Sequence, residues 1–259
     1  MKLNREFVEK PWGCTYLPAP FPSPGQKIGE VWFTSPDPLP LLVKYLFTSE
    51  RLSIQVHPND EQARKRGVAN GKTECWYILD AEPGATLGLG LTRDASKEEL
   101  HDAAVDGSIE QLMNWRPVSA GDFLFVPAGT IHAVGAGISL LEFQQNEGVT
   151  YRLYDYGRPR ELHLDDGLAV ALPIPYPEHL AQRVDPANTR VLVQDPHFSL
   201  VHVAQGNEAP RLFQNQRRWV MPLEGSMRSE TDEAGPGECL LLEPGETLQS
   251  DGGRALVGA

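Results

Sequence analysis

Leu52-Ser53-Ile54-Gln55-Val56-His57, followed by Pro58-Asn59-Asp60, organises the reading of this chain. Leu52, Ile54 and Val56 are apolar, and Ser53, Gln55 and His57 are polar. Successive side chains of a β-strand point to opposite faces, so the alternation predicts a strand with two distinct sides. The polar side carries a hydroxyl, an amide oxygen and an imidazole, two residues apart. That set suits a solvated strand face or a ligand surface inside a barrel.

Working outward, 259 residues suit one large β fold or two domains, and 41% hydrophobic content is enough for a core. Twenty-two prolines and 24 glycines favour short strands joined by turns. The net charge of −12 argues against a nucleic-acid binder, because phosphate backbones need basic surface. It leaves room for a small anion met by a few Lys or Arg in a pocket. The start of the chain carries no apolar signal core, and no stretch approaches the ~20 apolar residues of a membrane span. Cys14, Cys75 and Cys239 are odd in number and widely spaced, which predicts free thiols rather than a disulfide framework. A soluble cytoplasmic protein without membrane or nucleic-acid partners is expected.

Residues 1–26 read as a polar start and an irregular Pro-rich arm. Strands are expected at 28–35, 41–48, 72–80, 85–91, 122–126, 130–134, 138–144 and 150–156. Short helices are expected at 59–66, from Ser96-Lys97-Glu98-Glu99 to about 105, at 108–113 and at 161–171. The helical pieces between 96 and 113 read as an insertion on the rim of a β structure. The division expected is a first, larger domain over 1–172, a Pro-rich linker over 173–189 and a second β unit over 190–259. Gly121-Asp-Phe-Leu-Phe-Val-Pro127 has an echo, one residue longer, in Gly237-Glu-Cys-Leu-Leu-Leu-Glu-Pro244. No His follows the second copy. It reads as a duplicated half that kept the shape and lost the site, or as two unrelated strands of like design.

Gly121-x5-Pro127-x-Gly129-x2-His132 resembles the second motif of the cupins. Pro and Gly turn the chain between two strands, and His opens the next one. Ala136 stands where that motif usually has Asn. The first cupin motif is matched by Gln55-x-His57 and Glu74. The resemblance implies a mainly β fold, a cupin (jelly-roll) β-barrel with short helical insertions, followed by a degenerate second cupin-like unit. Gln55, His57, Glu74 and His132 together form a mixed nitrogen and oxygen set suited to one borderline divalent ion: zinc most simply, with iron, manganese or cobalt as alternatives. Taken singly, each has a plainer reading as a surface or hydrogen-bonded residue, and Gln55 is the weakest ligand.

Longer stretches carry a narrower resemblance. They are Pro11-Trp12-Gly13, Ile28-Gly-Glu30-Val-Trp32, Leu52 to Asp60, Gly71-Lys72-Thr-Glu74-Cys-Trp-Tyr77, Val126-Pro-Ala-Gly-Thr-Ile-His132-Ala133 and Thr150-Tyr-Arg152-Leu-Tyr-Asp-Tyr-Gly-Arg158. Over residues 6–170 the chain resembles the short bacterial type I mannose-6-phosphate isomerases. Beyond residue 190 the likeness is only to a degenerate cupin half. The resemblance implies zinc held by Gln55, His57, Glu74 and His132, and conversion of mannose 6-phosphate to fructose 6-phosphate through an enediolate. Arg152 matches the family's catalytic arginine; its plainer reading is a strand-surface ion pair. The proton carrier stays open between a metal-activated water, Glu142 and Lys72. Lys44 and Ser53 match the family's phosphate-side pair, with Arg158 or Arg160 assisting. Glu30 and Trp12 line the pocket or are structural.

Two rival readings remain at this level. One is an isomerase of another aldose or aldose phosphate on the same scaffold. The other is a non-catalytic sugar-binding cupin, since fold alone does not dictate catalysis. The partner expected is a small sugar phosphate, and the chain is expected as a monomer or homodimer.

Overall fold

The computed structural model describes residues 1–23 and 25–259. The first part of the chain forms β1 (Asn4–Cys14), β2 (Ile28–Thr34), β3 (Leu41–Thr48), β4 (Ile54–Val56), α1 (Asp60–Arg64), β5 (Glu74–Ala81) and β6 (Thr86–Leu91). There follow α2 (Lys97–Asp106), α3 (Ile109–Leu112), β7 (Met113–Pro117), β8 (Asp122–Val126), β9 (His132–Val134), β10 (Ile138–Gln145), β11 (Tyr151–Tyr154), α4 (Leu164–Val170) and β12 (Ala181–Arg183). The structure is mainly β, as the composition implied. Among the described residues, no helix is long and apolar enough to cross a membrane.

Two antiparallel sheets face each other. One has the order β1-β2-β3-β10-β5-β8-β12, the other β11-β4-β9-β6-β7. The space between them is filled at one end by Trp12, Leu46, Trp76, Ile78, Leu87, Leu124 and Leu140. At the other end polar side chains project inward. Alternation along each strand produces this split: Leu42 and Lys44 on β3 share a face with Glu142 and Gln144 on β10, whereas Val43, Tyr45, Leu141 and Phe143 point the other way.

That other face is also buried. It packs against a five-stranded sheet built from 190–194, 199–203, 218–222, 240–242 and 255–258. Phe33, Tyr45, Phe143, Phe198, Trp219 and Leu256 form one continuous core across the contact. Phe143 meets Phe198 and Trp219 edge to face at 5.2 and 6.0 Å. Gly258 lies so close that a Cβ there would stand 2.5 Å from the Phe143 ring. Every residue of β3 is therefore buried. Behind the five-stranded sheet, Val201, Val220, Met227, Leu240 and Val257 fill the second unit's interior with apolar side chains. Gly121 and Gly237, the paired positions of the internal echo, both take positive φ, +89° and +79°. That conformation favours glycine and makes the same entry turn twice.

The structure departs from the sequence reading in three places. The polar N-terminal stretch is not irregular: β1 is an eleven-residue edge strand, with its first residues exposed. Its outward face is solvated, so its hydrophobic pattern is too weak to read. The segment expected as a linker closes the first unit: β12 pairs with β8, Pro175 bridges to Gly90, and buried Tyr176 donates to Phe125 O at 2.6 Å. Prolines here sit at an edge, where a missing N–H costs no ladder bond. The helices α2 and α3 do not sit on the rim. With α4 they cover the outer face of the smaller sheet, where Leu100, Ala103, Ile109 and Val170 meet Ile54, Val56, Ile131 and Ala133. The apolar half of the Leu52–His57 alternation thus splits: Ile54 and Val56 face helices outside the barrel, while Leu52 joins the barrel interior.

Candidate active site

Three strands deliver the metal-type side chains. His57 ends the β4 region, Glu74 opens β5 and His132 opens β9. Asn59 caps α1 and forms a complete capping box with Gln62, which fixes the turn after His57. Lys72 N–H donates to Pro58 O at 3.0 Å and ties the start of β5 to that turn. Gly71 packs against the same turn, leaving no room for a Cβ, which would stand 2.5 Å from Pro58 O.

One nitrogen or oxygen from each of His57, Glu74 and His132 falls within 4.8 Å of the others. His132 Nε2 lies 3.3 Å from Glu74 Oε1, and His57 Nε2 3.6 Å from Glu74 Oε2. All three side chains are about 1% exposed. The Nδ1 atoms face the carbonyls of Val149 and Thr130, both at 2.9 Å, which assigns the proton to Nδ1 and leaves Nε2 as a lone pair aimed inward. Burial, with Lys72 and His132 alongside, pushes the His57 pKa well below the usual histidine range. Burial likewise lowers His132 to about 4. Two neutral imidazoles and one carboxylate make a donor set that fits a divalent transition metal. Glu74 Oε2 is buried without a hydrogen bond, although Lys72 Nζ stands 2.7 Å away off the bonding direction.

Gln55 adjoins this triad as expected, but its placement differs from that of a ligand. Its Nε2 faces His132 Nε2 at 3.2 Å, and its oxygen accepts from Ser53 Oγ at 3.1 Å. Turning the amide over would exchange the two and aim the oxygen at the cluster. Gln55 stands directly opposite Arg152 on β11 and opposite His132 on β9, so the register lines up these three residues across the smaller sheet.

A cavity of about 350 Å³ opens above the cluster. Its walls include Trp12, Glu30, Lys44, Ser53, Gln55, Lys72, Glu142, Arg152 and Arg160, all expected from sequence. Charges alternate along one wall. Lys10 lies 3.5 Å from Glu30, which lies 3.8 Å from Lys44; Lys44 lies 3.1 Å from Glu142, and Glu142 3.6 Å from Lys72. Burial opposes the charge on Lys44, but Glu142 and Glu30 outweigh it and raise its pKa. Burial would likewise raise Glu30, yet Lys44, Lys10 and the Trp32 indole N–H together hold it below the usual carboxylate range. Arg152 is different. It makes no ion pair among the described residues; its Nη1 reaches Glu161 O at 3.4 Å and lies 3.5 Å from His163 Nδ1.

Sequence reasoning passed over Lys10 and His163, and gave Trp32 no role in the site. All three line the cavity. Lys10 was hidden because β1 was not recognised, although alternation places it one turn of the pleat from Trp12. Trp32 shares its strand face with Glu30, and that signal was available. His163 reaches the site through a loop and a backbone pair with Arg152, N–H to O at 2.8 Å, which no local pattern announces. Arg158, by contrast, does not line the cavity; it donates to Arg51 O at 2.7 Å.

No family model matches the chain. A mannose-6-phosphate isomerase of Streptococcus mutans is 41% identical over 170 residues, covering 62% of this chain and 53% of that protein. A mannose-6-phosphate isomerase of Bacillus subtilis is likewise 41% identical, over 174 residues. The matched stretch spans only about half the length of these curated relatives, 53% and 55% for the first two. In three dimensions the likeness runs further. The crystal structure of the Bacillus subtilis mannose 6-phosphate isomerase superposes with a TM-score of 0.82 at 29% identity, over 99% of this chain and 98% of that one. A zinc-bound mannose 6-phosphate isomerase shares the fold at 16% identity, with a TM-score of 0.72 over 99% and 98% of the two chains. The C-terminal unit, weakest in sequence likeness, therefore keeps the relatives' fold.

Proposed function

We propose that this protein is a metal-dependent aldose–ketose isomerase that interconverts mannose 6-phosphate and fructose 6-phosphate through an enediolate. The observation that carries this reading is one cavity with a transition-metal donor set beneath its floor and five cations on its walls, Lys10, Lys44, Lys72, Arg152 and Arg160, in a chain of net charge −12. Only three carboxylates, Glu30, Glu142 and Glu147, line it in return. Such a pocket favours a small anion. The relationship to mannose-6-phosphate isomerases supports the choice of sugar phosphate.

His57, Glu74 and His132, with Gln55 turned to present its oxygen, would hold the ion, and zinc suits the set best. When bound, zinc supplies a Lewis acid for the oxygens on the two reacting carbons. Moving a proton between C1 and C2 needs a carrier within reach. Lys72 and Glu142 both face the cavity, 3.6 Å apart, and are suited to hold or pass that proton. Arg152, free of a carboxylate partner, offers its permanent charge to the enediolate oxygens. Trp12 and Trp32 supply an apolar wall that excludes water.

The test is an isomerase assay on protein of known metal content, following fructose 6-phosphate formed from mannose 6-phosphate before and after chelation. Activity lost with the metal and restored by zinc is the expected result. No turnover by fully loaded protein would refute the reading.

A further inference from the structure

Gln145 stands just past the last pair of the β10–β5 ladder, Gln144 with Glu74, and its side chain carries the pairing one step further. Its backbone N–H donates to Thr73 O at 3.1 Å, and its Oε1 accepts from Thr73 N–H at 2.9 Å. Its Nε2 donates to Asp60 Oδ1 at 3.0 Å, and the same oxygen accepts from Gly71 N–H at 2.8 Å. The amide has one orientation only, because an N–H must donate and a carboxylate must accept. Gln145 and Thr73 are both buried.

These bonds tie together the chain beside every member of the buried cluster. Asp60 follows His57 by three residues, and Gly71 and Thr73 lead into Glu74. Thr73 Oγ1 accepts from Ala128 N–H at 3.3 Å, and Gly129 N–H donates to His57 O at 2.8 Å, both in the turn that leads into His132. Neither Asp60 nor Gln145 lines the cavity, and neither bonds His57, Glu74 or His132 directly. The second oxygen of Asp60 lies 3.9 Å from His197, and both side chains are about 30% exposed. A pair that long and that open contributes little. The part of Asp60 that matters is thus one acceptor oxygen holding two donors.

We propose that Asp60 and Gln145 are positioning residues of the metal centre, clamping the turns that carry His57, Glu74 and His132 and so setting how tightly and in what geometry the ion is held. This rests on the metal-dependent reading given above. A donor set works only when its ligands are held to within about 0.5 Å, and strand ends alone do not fix three turns against one another. Loss of a group that orients ligands costs about 10- to 100-fold in metal affinity.

The experiment compares wild type with Asp60→Ala, Asp60→Asn and Gln145→Leu. The zinc dissociation constant is measured by competition with a chromophoric chelator, and the visible spectrum of each cobalt-loaded protein reports ligand geometry. D60A and Q145L should bind zinc roughly 10- to 100-fold more weakly and shift the cobalt bands. D60N keeps the shared acceptor oxygen and should stay within about threefold of wild type with an unshifted spectrum. If Q145L does not fold, D60A and D60N carry the comparison. Zinc bound equally tightly by D60A and Q145L, or bound more weakly with unshifted cobalt bands, would overturn the assignment and leave the isomerase reading intact. A wild type that holds zinc without isomerising mannose 6-phosphate, beside variants that hold it weakly with shifted bands, would sustain the clamp and refute only the isomerase. A wild type that binds neither ion would overturn both.

Discussion

Lowering pH should destabilise the metal-free protein through His132, by an amount the structure sets. His132 is folded with a pKa of about 4, against about 6.5 when unfolded. A histidine whose folded pKa is depressed contributes stability above its unfolded pKa, and that contribution fades as pH falls from about 6.5 toward 4. Between pH 7.5 and pH 5 the linkage relation gives a loss of about 2 kcal/mol from His132 alone. Nearby charge modulates this. Lys72 disfavours the imidazolium and Glu142 favours it, but burial is the largest cause. The assay is urea unfolding of chelator-treated protein at the two pH values, read by the fluorescence of its five tryptophans. The control is His132→Gln, which lacks the titrating ring and removes only a lesser cause of the lowered His57 pKa, burial being the largest. The wild type should lose about 2 kcal/mol more than the variant over this interval. Stability curves that stay parallel within about 0.5 kcal/mol would show that His132 is not held neutral by burial.

Other expectations follow from the same geometry. Glu74→Ala and His132→Ala should each cut bound zinc well below one per chain, measured by metal analysis after dialysis, whereas Arg152→Ala should keep its metal and lose kcat. Lys44→Met leaves Glu30 and Glu142 buried without their shared cation and should cost about 3–5 kcal/mol in chemical unfolding. Gly258→Val drives new atoms into the Phe143 ring and should cost roughly 1–3 kcal/mol, seen as a lower melting temperature.

Much of the first unit was legible because its strands advertise two faces. The boundaries expected for β3 and β8 agree with the structure, and the Pro127-Ala-Gly129 turn leads into β9 at His132 as read. The resemblance to the cupin motifs singled out Gln55, His57, Glu74 and His132, and the last three meet within 4.8 Å because strand ends deliver them to one place. What stayed hidden was whatever depends on the partner rather than the pattern. β1 is an edge strand whose exposed face looks like a coil. The proline-rich stretch around Tyr176 finds its place only because β8 offers it an edge. Helices with modest apolar faces gave no hint of which side of the barrel they cover. Sequence could name Lys44 and Arg152 as cations of one pocket, but only distances distinguish a lysine confined between two carboxylates from an arginine with none.

The double-sided burial of β10 bears on how this fold tolerates change. Glu142 and Gln144 serve the cavity, while the residues beside them, Leu141 and Phe143, serve the core shared with the C-terminal sheet. Inserting or deleting a single residue in this strand would turn an aromatic into the cavity and a carboxylate into the inter-sheet core. Length variation in such a chain is confined to its turns, and β10 can vary only by exchange of one side chain for another. The C-terminal unit, though without a metal cluster of its own among the described residues, holds the far face of β10 and so keeps that strand in register.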